Sequence, residues 1–102
     1  MFLVLEHRYY GMSQPFKDWK TENLKYLTID NALADIAAFL SQINDDLVYR
    51  YGGKKRKIFV IGGSYPGAVS AWVWYKYPHI IDGALSSSGV VNAVEDLFKY
   101  DG

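Results

Sequence analysis

The residues best suited to do chemistry are a serine and the glycines around it. An apolar run rich in β-branched residues, 58–61, leads into Gly62-Gly63-Ser64-Tyr65-Pro66-Gly67, after which the pattern becomes helical and apolar. This order predicts a nucleophile elbow, a sharp strand-to-helix turn that presents a serine hydroxyl at the end of a sheet. The chemistry would be acyl transfer, with Ser64 as the nucleophile and the backbone N–H of Tyr65 as the oxyanion donor.

The motif departs at one position from the usual Gly-x-Ser-x-Gly pattern, which would place its last glycine at position 66. Here Pro66 stands at that position and Gly67 follows it. Proline lacks an N–H, but the oxyanion donor expected from the elbow is the N–H of the preceding residue, so the departure is compatible with activity. Gly62 and Gly63 are expected to permit close approach of the backbone. The alternative interpretation is a glycine-serine turn that only joins a buried strand to a helix.

The elements that must position this serine follow from the apolar patterns. We expect strands over Phe2–Leu5, 58–61 and 80–86, and helices over 29–43, over 67 to about 77, and from 94 onward. Thr28 is the predicted N-cap of the first helix, which Gly52-Gly53 ends, and Pro78 ends the second helix. Alternation of strand and helix predicts parallel strands with helical crossovers, and therefore an α/β fold.

Composition narrows the class of protein. The 102 residues are half apolar, which suits a single globular domain with a core. Because the formal net charge is zero, nothing favours nucleic acid or an anionic membrane as a partner. The sequence has no cysteine, which excludes a disulfide framework or a thiolate metal site within these residues. No apolar run reaches the roughly 18 residues of a membrane span.

Several further segments resemble one known family, in the same order along the chain. They are EHRYYGMSQPF at 6–16, LKYLT at 24–28 with ALAD at 32–35, GGSY at 62–65 with AW at 71–72, KYPH at 76–79, and GAL at 83–85 with Ser88. The chain resembles the prolyl-carboxypeptidase-like serine peptidases, which include lysosomal Pro-X carboxypeptidase, dipeptidyl peptidase II and thymus-specific serine protease. The resemblance covers nearly the whole chain.

The resemblance implies a fold and an activity. It implies that residues 1–102 are part of one α/β-hydrolase domain, with N- and C-terminal portions of that domain outside the chain. It implies hydrolysis of peptides with proline near a terminus, as a carboxypeptidase or a dipeptidyl peptidase, in a lysosomal or secreted setting. It implies no metal or other cofactor. Ser64 carries over as the nucleophile and Tyr65 as the oxyanion donor, whereas the catalytic aspartate and histidine are expected beyond Gly102.

The histidines and late aspartates of this chain fit that catalytic pair poorly. His7 precedes Ser64, whereas α/β-hydrolases run serine, acid, histidine, so we expect a structural hydrogen-bonding role for His7. His79 is expected at the surface after the second helix. Asp96 and Asp101 follow Ser64 too closely to match the family's acid.

Other polar and aromatic residues have simpler expected roles. Glu6 and Arg8 are predicted to form an ion pair on one face of an extended segment. Tyr9 and Tyr10 are candidates for lining the substrate cleft, because α/β sites form at the carboxyl ends of strands. Lys54–Lys57 is expected to be a solvated loop, and Trp72, Trp74 and Tyr75 are expected to be part of a helix core.

The chain is expected to be an internal piece of a longer protein, with little or no activity alone. It begins inside a predicted strand, and in the α/β-hydrolase order the strand between that one and the nucleophile strand would precede Met1. The acid and base of the triad are also missing, and a serine without its base is a poor nucleophile. Two alternatives stay open: an esterase or lipase on the same fold, and a non-catalytic remnant or binding module.

Overall fold

The structure, a computed structural model, describes residues 1–92 and 94. A short 3₁₀ helix, Thr21–Leu24, precedes the helix α1, Ile29–Tyr51. The strand β1, Phe59–Gly63, leads into the helix α2, Tyr65–Lys76, which is followed by the strand β2, Gly83–Ser87. The helix expected from residue 94 onward lies outside the described residues, apart from Val94 itself.

The two strands form a parallel pair joined by a helix. Phe59 lies opposite Gly83 and Gly63 lies opposite Ser87, so the carboxyl ends of β1 and β2 meet at one edge. Helix α2 connects them and packs on both, and α1 packs on α2. A parallel pair with a helical crossover is the α/β arrangement expected from the sequence.

The core lies between the helices and one face of the sheet. Its buried centre is formed by Leu33 of α1, Val69 and Val73 of α2, and Ile81 from the turn before β2. Successive strand residues point to opposite faces. The other face therefore carries Phe59, Ile61 and Leu85, and all three are exposed.

Helix α1 begins and ends where its sequence predicts. The Thr28 side chain accepts a hydrogen bond from the Asn31 N–H at 3.2 Å, which caps the N-terminus. At the other end Gly52 has a φ of 68°, a conformation that glycine adopts at little cost. The loop of residues 54–57 that follows is exposed, as expected.

Two predictions about the apolar segments are wrong, and one strand begins later than predicted. Phe2–Leu5 is not a strand in the structure, and both Phe2 and Val4 are 97% exposed, because no described strand lies beside the segment to pair with it. The strand predicted over 80–86 is found as β2, Gly83–Ser87, and residues 80–82 lie before it with Ile81 buried in the core. Helix α2 is covered on one side only, since Trp74 and Tyr75 are exposed.

No helix in the described part of the chain is both long and apolar enough to cross a membrane.

Candidate active site

Ser64 occupies a strained turn between β1 and α2. Its φ of 58° and ψ of −125° are uncommon for a residue with a side chain, and such a conformation costs about 1–3 kcal/mol. Ser64 is the residue before the first turn of α2, where a serine side chain ordinarily caps the helix, yet it makes no capping hydrogen bond. The residue is exposed. The turn therefore presents the Ser64 hydroxyl outward at the edge of the sheet.

Backbone hydrogen bonds from both sides hold this strained residue. The Ser64 N–H donates to the Ser87 carbonyl at the end of β2, at 3.0 Å. The Ser64 carbonyl accepts from the Ala68 N–H in the first turn of α2, at 3.1 Å. Sheet and helix thus fix the peptide groups on both sides of the Ser64 Cα, which is how a strained conformation persists in a folded protein.

Close backbone approach requires two of the glycines around Ser64. A Cβ at Gly62 would collide with the carbonyl of Pro66, and a Cβ at Gly67 would lie 2.6 Å from the Ser87 carbonyl oxygen. Gly63 differs, because a Cβ there would meet the Ser87 carbonyl oxygen at 3.9 Å, an ordinary contact. The expected steric requirement is therefore found at Gly62 and is wrong for Gly63 among the described residues.

The Tyr65 N–H points from the N-terminus of α2. As the first helical residue, Tyr65 has no intrahelical acceptor for its N–H, and none is found in the rest of the described chain. Pro66, the second helical residue, has no N–H to offer. The positive end of the helix dipole favours an anion at this position, so the turn leaves an unbonded backbone donor directly after the Ser64 side chain in the described structure.

The Tyr65 side chain is hydrogen-bonded to His7. The Tyr65 hydroxyl lies 3.0 Å from His7 Nε2, and His7 Nδ1 lies 2.7 Å from the Arg8 carbonyl oxygen. A carbonyl only accepts, so Nδ1 carries a proton, and in the neutral ring Nε2 accepts from the phenol. Burial, with a smaller contribution from Tyr10, raises the pKa of Tyr65, so the phenol stays protonated at a higher pH than an ordinary tyrosine does. The hydrogen-bonding role expected for His7 is confirmed.

The segment carrying His7 is anchored to α1 by Arg8. The Arg8 guanidinium donates from Nε and Nη2 to the two carboxylate oxygens of Asp35, at 2.6 and 2.7 Å, and from Nη1 to the Tyr26 carbonyl at 2.9 Å. The bond to Asp35 raises the pKa of Arg8. Such a bidentate ion pair fixes the orientation of the Arg8 side chain as well as pairing its charge.

The expected ion pair between Glu6 and Arg8 is wrong, because each side chain has another partner. Glu6 accepts hydrogen bonds from the Ser13 hydroxyl at 2.6 Å and from the Ser13 N–H at 3.1 Å. The hydroxyl bond is the main cause that lowers the pKa of Glu6. Arg8 is engaged by Asp35.

The two tyrosines proposed for the substrate cleft have different surroundings. Tyr9 is only 6% exposed, and its hydroxyl donates to the Asn23 carbonyl at 2.8 Å and accepts from the Tyr26 N–H at 3.2 Å. It therefore holds the loop together, and the cleft prediction is wrong for Tyr9. Tyr10 is 59% exposed and packs edge-on against His7 with ring centroids 5.1 Å apart.

The structure brings no acid or base to Ser64 from the described residues. His7 is bonded to Tyr65 and Arg8. His79 lies beyond the far end of α2, whose 12 residues span about 18 Å. Asp96 and Asp101 lie outside the described residues. Within the described part of the chain, no three His, Asp or Glu side chains lie close enough together to hold a metal ion.

Comparisons with known proteins place the chain in a family. The family model described as serine carboxypeptidase S28 matches residues 1–102. A protein of Arabidopsis thaliana named "Probable serine protease" is 46% identical over 101 residues, covering 95% of this chain and 21% of its own length. The "Lysosomal Pro-X carboxypeptidase" of Homo sapiens is 39% identical over 100 residues, covering 95% of this chain and 20% of its own length.

A fungal relative gives a third comparison. The "Probable extracellular serine carboxypeptidase" of Arthroderma benhamiae is 39% identical over 100 residues, covering 96% of this chain and 14% of its own length. The chain thus spans about a fifth or less of the length of these relatives. The match of the family model to every residue shows that the chain belongs to the serine carboxypeptidase S28 family.

Proposed function

We propose that Ser64 is the nucleophile of a serine peptidase and that this chain is the part of its catalytic domain around the nucleophile. The observation that carries the proposal is the backbone of Ser64, with φ at 58° in a turn between a parallel strand and a helix. Strain of this kind persists where surrounding structure enforces it, and it is concentrated at functional sites. The exposed hydroxyl, free of the capping role that its position offers, supports the same role.

The reaction begins with attack of the Ser64 oxygen on the carbonyl carbon of a peptide bond. The carbonyl π electrons move to its oxygen, and the Tyr65 N–H and the N-terminus of α2 stabilise the resulting negative charge. The serine proton passes to a base and then to the departing amine, which leaves an acyl-enzyme that water hydrolyses. We infer that the base and its orienting acid come from parts of the protein outside this chain.

The substrate class and setting are proposed from the relatives. The name Pro-X carboxypeptidase supports a peptide with proline near its terminus as substrate, and the names lysosomal and extracellular support an acidic vesicle or a secreted location. The parallel pair with its crossover helix supports assignment to an α/β-hydrolase domain. Tyr10 is the remaining candidate for a cleft wall, because its exposed ring packs against His7, which is itself bonded to Tyr65.

The test uses the full-length product of the gene that encodes this chain. Ser64→Ala should lower kcat on a peptide with penultimate proline by at least about 10³-fold, and should abolish labelling by a fluorophosphonate. Ser41→Ala, on helix α1, is the matched control and should leave both readouts unchanged. Activity and labelling that survive Ser64→Ala would show that another residue is the nucleophile.

Labelling and hydrolysis assays on the same full-length protein distinguish the peptidase from the two alternative functions. An esterase or lipase would be labelled at Ser64 and would hydrolyse simple acyl esters while leaving proline-containing peptides uncut, because the elbow serves both chemistries. A non-catalytic remnant would show neither labelling nor hydrolysis. Cleavage of the proline peptide together with labelling of Ser64 supports the peptidase.

A further inference from the structure

We propose that His7 is a positioning residue of this active site. Through its hydrogen bond to the Tyr65 hydroxyl, His7 sets the orientation of the residue whose N–H is the oxyanion donor. The inference rests on the proposed role of Ser64 as nucleophile and adds a residue that precedes it by 57 positions in the chain.

His7 is itself held on both of its ring nitrogens. Nε2 lies 3.0 Å from the Tyr65 hydroxyl and Nδ1 lies 2.7 Å from the Arg8 carbonyl. The Arg8 side chain is fastened to Asp35 on α1, and α1 packs on α2, whose first residue is Tyr65. The imidazole therefore links the loop that carries Arg8 to the first residue of α2, and both the loop and α2 also contact α1. The ring cannot rotate without breaking one of its two hydrogen bonds.

The orientation of the Tyr65 N–H matters because few other groups near Ser64 can donate a hydrogen bond to the developing oxyanion. An oxyanion donor is effective only when it lies about 2.7–3.1 Å from the position that the developing charge will occupy. The next residue, Pro66, contributes no N–H, and the Ser64 N–H is already bonded to the Ser87 carbonyl. The Tyr65 N–H is thus the donor of the elbow itself. A tyrosine fixed at its hydroxyl end restrains the rotation of the peptide that carries this N–H.

The hydrogen bond to Tyr65 also argues against His7 as the general base. A base must lie within hydrogen-bonding distance of the nucleophile's proton, and the described hydrogen bonds of His7 go to Tyr65 and Arg8. His7 acts through Tyr65, and its loss should weaken transition-state stabilisation more than substrate binding.

The test compares two amide replacements in the full-length gene product. The amide end of glutamine reaches the place of Nε2, so His7→Gln can keep the bond to Tyr65. The amide end of asparagine reaches the place of Nδ1, so His7→Asn keeps the bond to the Arg8 carbonyl only. We expect His7→Asn to lower kcat about tenfold with KM within about twofold, less than the 10²–10³ that removal of a whole donor costs. His7→Gln should restore most of kcat.

A variant on the other side of the hydrogen bond keeps the proposal testable should changes at His7 prevent folding. Tyr65→Phe removes one oxygen and leaves the ring, and it should lower kcat about as much as His7→Asn. The double variant should be no slower than either single variant, because both remove the same interaction.

Each outcome decides one question. The positioning role would be overturned by an equal kcat in His7→Asn and His7→Gln, by an unchanged kcat in Tyr65→Phe, or by additive losses of kcat in the double variant. These results leave the nucleophile untouched, because that is tested by Ser64→Ala. If Ser64→Ala stays active, the proposed function fails; if it is inactive while the His7 and Tyr65 variants keep wild-type kcat, only the positioning role fails.

Discussion

Two adjacent glycines before the candidate nucleophile should respond in opposite ways to the same substitution. A Cβ at Gly62 would collide with the Pro66 carbonyl and would lie 2.7 Å from Ser70 Oγ. A Cβ at Gly63 would meet only the Ser87 carbonyl oxygen, at 3.9 Å, among the described residues. The first site is closed by backbone that cannot rotate away, whereas the second is open.

The magnitudes follow from these contacts. Overpacking a tight site costs about 1–3 kcal/mol, and the Gly62→Ala variant should fall at the upper end because the obstructing atoms belong to the first turn of α2. Gly63 does not have a positive φ, so Gly63→Ala fits without strain. It should stabilise the fold by about 0.4–1 kcal/mol, because alanine reduces the conformational freedom of the unfolded chain. The free energies of unfolding of the two variants should differ by roughly 2–4 kcal/mol.

Urea-induced unfolding of the full-length gene product, followed by tryptophan fluorescence, measures this difference. Both variants insert the same methyl group one residue apart, so each serves as the control for the other. Equal midpoints, or a lower midpoint for Gly63→Ala than for Gly62→Ala, would refute the steric reasoning about the elbow. A Gly62→Ala protein that is destabilised and also slow on peptide substrate would link the packing of α2 to the geometry of Ser64.

Two further outcomes follow from hydrogen bonds away from the elbow. Asn44 is 7% exposed and bonds the Arg56 carbonyl and N–H at 2.9 and 2.8 Å, so Asn44→Ala should cost about 1–3 kcal/mol in urea unfolding, and an unchanged midpoint would contradict this. The pKa of Glu6 lies below its ordinary value of 4.5 because of the Ser13 hydroxyl, so its stabilising contribution is complete above the unfolded-state pKa and is lost as pH falls through the folded one. Ser13→Ala should therefore lower the thermal midpoint more at pH 7 than at about pH 3, and an equal loss at both would count against it.

The sequence predicts well those features whose causes are local. The N-cap of α1 at Thr28 and its end at Gly52 depend on side chains and dihedral angles within a few residues of each other. The turn at Ser64 is likewise predicted by the glycines, by the apolar run before it and by the proline after it. These elements are found with end points that differ from the predicted ones by a few residues, which is usual for helix and strand ends.

The errors occur where a residue's partner is far away in the chain. Phe2–Leu5 has a strand-like composition, but a strand exists only where another strand accepts its hydrogen bonds. The short spacing of Glu6 and Arg8 predicts an ion pair between them, but Arg8 binds Asp35 on α1. The contact between His7 and Tyr65 joins positions 58 residues apart, and no periodicity or spacing in the sequence indicates it.

The departure at Pro66 shows how an unusual motif keeps a normal turn. In the usual pattern a glycine at this position lets the helix approach the sheet closely. Here that approach is made on either side of Pro66, at Gly62, which faces the Pro66 carbonyl, and at Gly67, which faces the Ser87 carbonyl. Pro66 itself is exposed at the second helical position, where an N–H would have had no intrahelical acceptor. Because the small residues stand where backbone meets backbone and the proline stands where it does not, Ser64 retains its strained conformation without the last glycine of the motif.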